Sequence, residues 1–521
     1  MKTLEKIKLQ NFKRFASFET ALDPGMTILI GDNESGKSSI LLAIDLTLSG
    51  SRGRIETLGL ESLFNTVAVD AFLNGEKRFE QLPSLVVELY LNEQHDERLN
   101  GKCNSEDREC DGLSLVCEPD DAFSEEIRRI LNDPAPNFPF EYYQIRFFTF
   151  SADQFSGYNR PVRHLSLDST QIGNEYATRE YVKDLYLAHV DGVERNTHRN
   201  AYRQHKKKFQ ENALGELNQR VDEYDFVLGT TGKATLESDL TIAQGGVTIQ
   251  HRGKGQQCFM KTEFALNRSE STGDIDVLLL EEPENHLSHV NMKRLISKIG
   301  ERTGKQLFIA THSTLVSARL DLRKCVLLNS NTDSPTSLRA LTEGTAEFFM
   351  KAPETNVLEF VLSRKVILVE GDAEFILIES FFKRATGRPC EDSDTHVIAV
   401  GGTSFKRYLE LAKLLDIKTA VIRDNDGNYQ ENCVEAYTDF SSDAIRIFAE
   451  SDNACRTFEV SLYRQNRALC DALFGPSRRT LSVLDYMLGN KTEAAFALLQ
   501  EKASEVEPPS YIAEAIGWIS A

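Results

Sequence analysis

Short, mostly apolar runs, several of them closed by glycine or by acids, recur along this chain. Met26–Ile30, Asp276–Leu280, Leu307–Ala310, Lys365–Val369, His396–Val400 and Thr419–Ile422 are of this kind. A strand buried on both faces, as in a parallel sheet, reads this way. Other segments alternate apolar and polar residues or are aromatic: Leu4–Leu9, Leu85–Leu91, Leu113–Cys117 and Tyr142–Phe150 predict strands. Asn11–Phe18 reads as a turn and Cys103–Asp111 as a polar loop. Helices are expected over Ser39–Leu48, Tyr176 to about Asp225, Cys258–Asn267, Asn291–Arg302 and Ala373–Lys383. In the third of these, Phe259, Phe264, Ala265 and Leu266 would pack inward. Strands alternating with helices predict an α/β class.

At 521 residues the chain is long enough for more than one core. The pattern divides it into a first domain over 1–350 and a second over 360–521. Residues 155–230 are read as a helical insertion that dimerises or faces DNA. The formal charge is −19, from 60 Lys and Arg against 79 Asp and Glu, which argues against coating nucleic acid over the whole surface. A local basic track remains compatible with it, and so do acidic sites offset by metal ions. No apolar run reaches the ~18 residues of a membrane span, and the opening MKTLEKIKLQ is not a signal peptide, so the expected location is cytoplasmic. The nine cysteines are scattered, as reduced thiols are. Cys103, Cys110 and Cys117 are evenly spaced without a C-x-x-C knuckle and read as structural.

After Met26–Ile30 comes GDNESGKSS, which fits G-x-x-x-x-G-K-[ST] at Gly31, Gly36, Lys37 and Ser38. Between a strand and a helix, the glycines let backbone amides approach phosphate, Lys37 reaches the β/γ-phosphates and Ser38 ligates Mg²⁺. Asn33 and Ser39 complete this candidate nucleotide set. Glu281 and Glu282 close the Asp276 run, where a parallel sheet binds ligands; the plain alternative is a core strand ending in a solvated acidic turn. Thr311 and His312 end the Leu307 strand, placing His312 to sense a γ-phosphate. Gly253, Gly255 and Gln256 in HRGKGQQ precede a helix and would offer amides to phosphate. Gln144 or Gln154 would link nucleotide to a moving lobe. Arg195–Gln210 holds no acid, and Arg195, Arg199 and Arg203 recur at i, i+4. This stretch is either a phosphate-backbone track or a solvated helix face.

GDNESGKSS, HRGKGQQ, LLLEEPENHL and IATHS, in that order, resemble an ABC-type ATPase head of the SMC and recombination-repair kind. The resemblance implies a mixed-sheet head that dimerises head to tail around two ATP, Gly31–Ser38 of one copy facing Gly253–Gln256 of the other. Glu281 stands where such proteins usually carry an aspartate and would hold the Mg²⁺ shell. Glu282 would polarise the attacking water, with His312 as the switch histidine. Unlike the SMC proteins, the chain has no long heptad arms.

In the second half, Glu370-Gly371 ends one strand, Glu374 lies in the first turn of the next helix, and Asp424-Asn425-Asp426 ends another strand. In an extended tip i and i+2 face one side, so Asp424 and Asp426 would share a cation. Hard oxygen ligands at neighbouring strand ends suit Mg²⁺ or Mn²⁺, and close carboxylates repel unless metals neutralise them. The plain alternative is an acid-rich set of loops on an ordinary α/β domain. VILVEGDAEFILIESFF and the later DND resemble a Toprim domain with a parallel, Rossmann-like sheet. Behind an ABC-type head, this is similar to the overcoming-lysogenization-defect (OLD) family, Gabija-type nucleases included. The resemblance extends to Glu459 in TFE and to Lys491 before a helix. It implies two metal ions at Glu370, Glu374, Asp424, Asp426 and Glu459, with Lys491 offsetting transition-state charge. The expected function is an ATP-regulated, divalent-metal-dependent DNA endonuclease or nickase in anti-phage defence. The expected partners are DNA, a second copy of the chain or a higher homo-oligomer, and a UvrD-like helicase. The rival is a DNA-binding assembly ATPase whose Toprim half only docks.

Overall fold

The computed structural model describes residues 1–133, 136–157, 159–169, 175–220, 226–228, 235–266, 275–301, 305–313, 320–329, 334–352, 356–402, 404–475 and 481–521. The helix ends expected at Asp225, Asn267 and Arg302 lie outside the described residues, as do the side chains of Tyr176, Phe264, Ala265 and Leu266. The chain forms two compact units, Met1–Val316 with Lys324–Ser337, and Ser317–Arg323 with Leu338–Ala521. The stretch 338–350, expected at the end of the first domain, therefore belongs to the second. Its contacts explain this: Thr342 Oγ1 and Thr345 Oγ1 donate to Glu410 at 2.9 and 2.5 Å, and the Phe349 ring stands 5.1 Å edge-on to Tyr408.

In the first unit, β1 (Leu4–Phe12) and β2 (Phe15–Ala21) form a hairpin in which Phe12 pairs with Phe15. The link is thus tighter than the expected turn over Asn11–Phe18. β3 (Met26–Gly31) is buried at every residue. The next helix, α1 (Lys37–Ser49), is buried on almost all sides through Ile40, Leu41, Ala43, Ile44, Leu46 and Leu48, because it is packed between two sheets. A short α2 (Arg52–Leu58) follows. The first sheet is antiparallel, with β4 (Leu85–Leu91), β5 (Asn100–Gly101) and β6 (Cys110–Pro119) in the order β2-β1-β4-β6-β5. β7 (Tyr143–Thr149) pairs with β6.

β8 (His164–Asp168) begins the contribution of the middle of the chain to the second sheet. The reading of 155–230 as a helical insertion is corrected here, since β8 is a strand parallel to the acid-bearing one. The long helix expected after it is also divided, into α3 (Glu175–His189) and α4 (Gly192–Phe209). A capping box explains the break: Asp191 accepts from the Val193 and Glu194 amides, and the Glu194 side chain reaches back to the Asp191 amide. Then come α5 (Lys254–Leu266), β9 (Val277–Glu281), α6 (His289–Glu301), β10 (Gln306–Ala310), β11 (Cys325–Leu328) and β12 (Thr336–Ser337). The second sheet runs β12-β11-β3-β10-β9-β8, parallel throughout except for β12. The strand order sets the carboxyl ends of β3, β9 and β10 beside one another.

Glu370 and its neighbours lie in the second unit. β13 (Lys365–Val369), α7 (Asp372–Thr386), β14 (Thr395–Ala399), α8 (Phe405–Leu415), β15 (Lys418–Ile422) and β16 (Ile445–Phe448) make a four-stranded parallel sheet, β14-β13-β15-β16, with crossover helices. α9 (Phe458–Gln465), α10 (Lys491–Lys502) and α11 (Ser510–Ser520) share with α7 a core of Leu377, Phe381, Phe458, Leu498, Ile512 and Ile516.

One buried charge joins β8 to the helix behind the glycine loop. Asp45 on α1 accepts from Arg54 Nη1 of α2 at 3.2 Å and lies 2.9 Å from His164 Nε2 of β8. Burial pushes the Asp45 carboxyl up, but Arg54 and His164 outweigh it and hold the group well below the ordinary carboxylate range. That stabilisation is complete above pH ~4, where the unfolded carboxyl is ionised, and is lost as pH falls from there toward the folded value. Asp45→Asn should lower the unfolding free energy of the first unit by roughly 2–4 kcal/mol, discounted because Arg54 is partly exposed. Denaturant titrations at neutral pH and at pH ~3 check this: the gap between parent and variant narrows at the lower pH.

Candidate functional site

At the carboxyl end of β3 the chain turns through Asp32–Ser35 into α1. Asn33 and Ser38 are exposed and Ser39 is half-buried. Gly36 has φ 98°, and a Cβ there would collide with the Phe15 ring, so glycine is needed on both counts. Lys37 is buried and folded back over its own loop, donating to Gly31 O at 2.7 Å and Asp32 O at 2.8 Å. Burial lowers its pKa against the opposing pull of Glu282, Asp32, Glu281 and Glu284.

Glu281 ends β9. Burial raises its pKa, Asp168 and Glu282 push the same way, and Ser38 and Lys37 oppose them. Asp168 ends β8 opposite Glu281 in the parallel register. Sequence reading missed Asp168, because nothing local marks HLSLD as a neighbour of a strand more than a hundred residues later. Glu282 has φ 45° and donates its amide to Ala310 O at 2.8 Å, tying the turn to β10. Its carboxylate accepts from Asn285 Nδ2 at 2.6 Å and lies 3.3 Å from His312 Nδ1, so the two candidates do meet. Glu284, also missed, is buried and accepts from Thr311 Oγ1 at 2.6 Å; Thr311 Oγ1 in turn accepts from Ser313 N at 2.9 Å. That bond fixes the turn carrying His312.

Helix α5 opens at Lys254, four residues before the expected start, so Gly255 and Gln256 lie in its first turn. The Gln256 amide is used by Gly253 O at 2.9 Å, and a Cβ on Gly255 would overlap His286 O. Gly255 is therefore required for close packing on the loop after Glu282, whereas a Cβ on Gly253 would meet nothing within 4 Å. Phe259 is half-buried, with Lys298 Nζ 5.2 Å above its ring. Gln144 donates to Glu118 at 3.4 Å across the β6/β7 pair, and Gln154 bridges to Phe148. The basic helix α4 is partly neutralised: Arg195 and Arg199 both pair with the buried Glu237. Two of the three arginines expected on one track thus serve an intramolecular contact.

In the second unit five carboxylates come from four places. Glu370 follows β13, Glu374 is buried in the first turn of α7, Asp424 and Asp426 follow β15, and Glu459 is buried in the first turn of α9. Asp424 N donates to Glu370 Oε2 at 3.4 Å, and Asp424 Oδ1 accepts from Phe458 N at 2.7 Å, which couples β13, β15 and α9. Burial pushes Asp424 up to about 8, with Glu374, Glu370 and Glu459 adding to it. Burial likewise raises Glu374 to about 7, aided by Glu459 and Glu370, and raises Glu370. Lys491, first residue of α10, lies 2.9 Å from Glu459 Oε2 and opposes these shifts at Asp424, Glu374 and Glu370.

One expectation fails in detail. Asp426 has φ 50°, so the tip is not extended, and its carboxylate turns to Arg423 at 3.3 Å. Among the described residues no three His, Cys, Asp or Glu side chains form a ready-made metal cage. The donor set nevertheless suits a hard divalent cation: oxygen ligands, desolvated and mutually repelling.

Comparison with known proteins agrees with both halves. Residues 361–426 match the model "Overcoming lysogenization defect protein-like, TOPRIM domain", residues 1–125 "AAA ATPase domain", and residues 117–318 "AAA domain, putative AbiEii toxin, Type IV TA system". The Old nuclease of Escherichia phage P2 is 23% identical over 175 residues, 32% of this chain. The match spans 30% of that relative's length. Among solved structures, the C-terminal region of the Burkholderia pseudomallei OLD protein aligns at 20% identity and TM-score 0.26, over 30% of this chain and 97% of that one. The Pyrococcus furiosus Smc head domain aligns at 14% identity and TM-score 0.37, over 67% of this chain and 100% of that one. With an OLD-like Toprim match in the second unit and ATPase matches in the first, the chain joins an ATPase domain to an OLD-like Toprim domain and is similar in this to the OLD ATPase–Toprim proteins.

Proposed function

We propose that this chain is an ATP-regulated, divalent-metal-dependent DNA endonuclease or nickase that acts in anti-phage defence. The observation that carries the reading is the set of buried carboxylates around Lys491, whose raised pKa values mark a site built to receive positive charge. The name of the phage P2 relative, a nuclease, supports the same chemistry. Glu370, Glu374, Asp424, Asp426 and Glu459 would hold Mg²⁺ or Mn²⁺, two ions in all. Bound there, the metal would activate water and neutralise charge on the phosphodiester. Lys491 holds a positive charge beside Glu459 and would offset the negative charge that grows on the cleaved phosphate. The Phe458 amide holds Asp424 in position.

In the first unit Gly31, Asn33, Gly36, Lys37, Ser38 and Ser39 would bind ATP, and Ser38 with Glu281 would hold its Mg²⁺. Lys37 must leave the Gly31 and Asp32 carbonyls to reach phosphate. Glu282, kept in place by Asn285 and facing His312, is oriented to polarise a water. Gly253, Gly255 and Gln256 would complete the site of a second copy across a head-to-tail dimer. DNA is the substrate, and a UvrD-like helicase is a partner suggested by the family resemblance.

Purified protein incubated with supercoiled and linear DNA, with Mg²⁺ or Mn²⁺ and with or without ATP, tests the reading. The parent should nick or cut, and Glu370→Ala and Asp424→Ala should each be slower by on the order of a hundredfold or more. Equal cutting by both variants would end the nuclease assignment and leave the docking-module rival. Separately, Lys37→Ala should abolish ATP hydrolysis measured as phosphate release; an unchanged rate would refute the assignment of Gly31–Ser38.

A further inference from the structure

Arg423 is a cation among the carboxylates of the second unit that no motif assigns. It follows β15 directly and is 7% exposed. Every arm of the guanidinium is engaged: Nε donates to Asp424 O at 3.0 Å, Nη1 to Tyr437 OH at 2.9 Å, and Nη2 to Asp426 Oδ2 at 3.3 Å. Tyr437, itself buried, backs the guanidinium with its ring, 5.5 Å away. A planar fork held at three points cannot drift, and a guanidinium does not lose its charge.

The five carboxylates therefore fall into two groups. Asp426 has Arg423 and Glu459 has Lys491. Among the described residues, Glu370, Glu374 and Asp424 have no ion-pair partner. Like charge adds to burial at each of them: Asp426 at Glu370, Glu459 and Glu370 at Glu374, and Glu374, Glu370 and Glu459 at Asp424. Backbone geometry supports the division, since the left-handed conformation of Asp426 points it at Arg423, whereas Asp424 is held by Glu370 and the Phe458 amide.

We propose that Arg423 is a built-in counter-ion that keeps Asp426 out of the resting metal shell. The chain then takes up one divalent cation tightly at Glu370, Glu374 and Asp424, and a second only weakly, because the second must draw the exposed Asp426 carboxylate away from the fixed guanidinium. The inference rests on the metal reading of this site. Arg423 acts through Asp426 and is a positioning residue.

Mn²⁺ binding to the nucleotide-free full chain, followed by calorimetry and by electron paramagnetic resonance, tests this. The same chain carrying Glu370→Gln and Asp424→Asn serves as the reference for ions bound elsewhere. The parent should bind one ion tightly and a second at least about tenfold more weakly, and Arg423→Gln should bring the two affinities to within about threefold. Asp426→Asn, which needs no repacking of the buried guanidinium pocket, should remove the weak ion and leave the affinity of the tight one within about threefold. Two equally tight ions in the parent, or a tenfold weaker tight site in Asp426→Asn, would overturn the role of Arg423 while leaving the metal reading intact. No binding above the reference would instead overturn the metal reading itself.

Discussion

Carboxylates withdrawn from water at the ends of parallel strands are the constraint on which both units are built. A parallel sheet covered on both faces buries its strands, and only their ends open to a ligand. Acids placed there lose hydration, and each must be answered by a cation, a donor or a proton. In the first unit the answer is Lys37 facing Glu281, Glu282 and Glu284, with hydrogen bonds from Asn285 and Thr311. The second unit uses Lys491, Arg423 and the Phe458 amide, and these leave negative charge over.

Where a segment's environment follows from its own residues, the sequence discloses it. Met26–Gly31, Val277–Glu281, Lys365–Val369 and Lys418–Ile422 are strands because continuous branched and apolar side chains fill both faces of a covered sheet. The glycine loop, the Glu282–His312 contact and the gathering of Glu370, Glu374 and Asp424 follow from those strands. What stayed hidden depends on partners distant in the chain. β8 carries a histidine in its first position and is a strand because Asp45 and β9 receive it. Asp168 and Glu284 become site neighbours only through that register and through Thr311. Arg195 and Arg199 look like a phosphate track until Glu237 is set between them. The short, polar-flanked β16 has no periodic signal of its own and is defined by pairing with β15.

Asp426 shows how one dihedral angle changes a chemical reading. The spacing D-x-D implies two carboxylates on one side only when the backbone between them is extended. Here φ at Asp426 is positive, Gly427 continues the turn at φ 84°, and Asn425 is anchored inside by Glu450 O at 2.6 Å and Asp452 O at 3.1 Å. The motif residues are correct, yet their side chains part: one toward α9, the other toward Arg423.

The two cations of the second unit are not equivalent, and the difference follows from their side chains. Lys491 is a point charge on a flexible stem at the start of a helix, half exposed, and can follow an acid or a phosphate as charge develops. Arg423 is buried, forked and bound on three sides, so its charge is fixed in place. A mobile ammonium suits a group that must respond during a reaction; a fixed guanidinium suits one that decides which carboxylates are available before it begins. With five acids against these two cations, the order in which further positive charge enters is set by which acids are already answered. Among the described residues Glu370, Glu374 and Asp424 are the ones with no ion-pair partner, and they lie where β13, β15 and α7 converge.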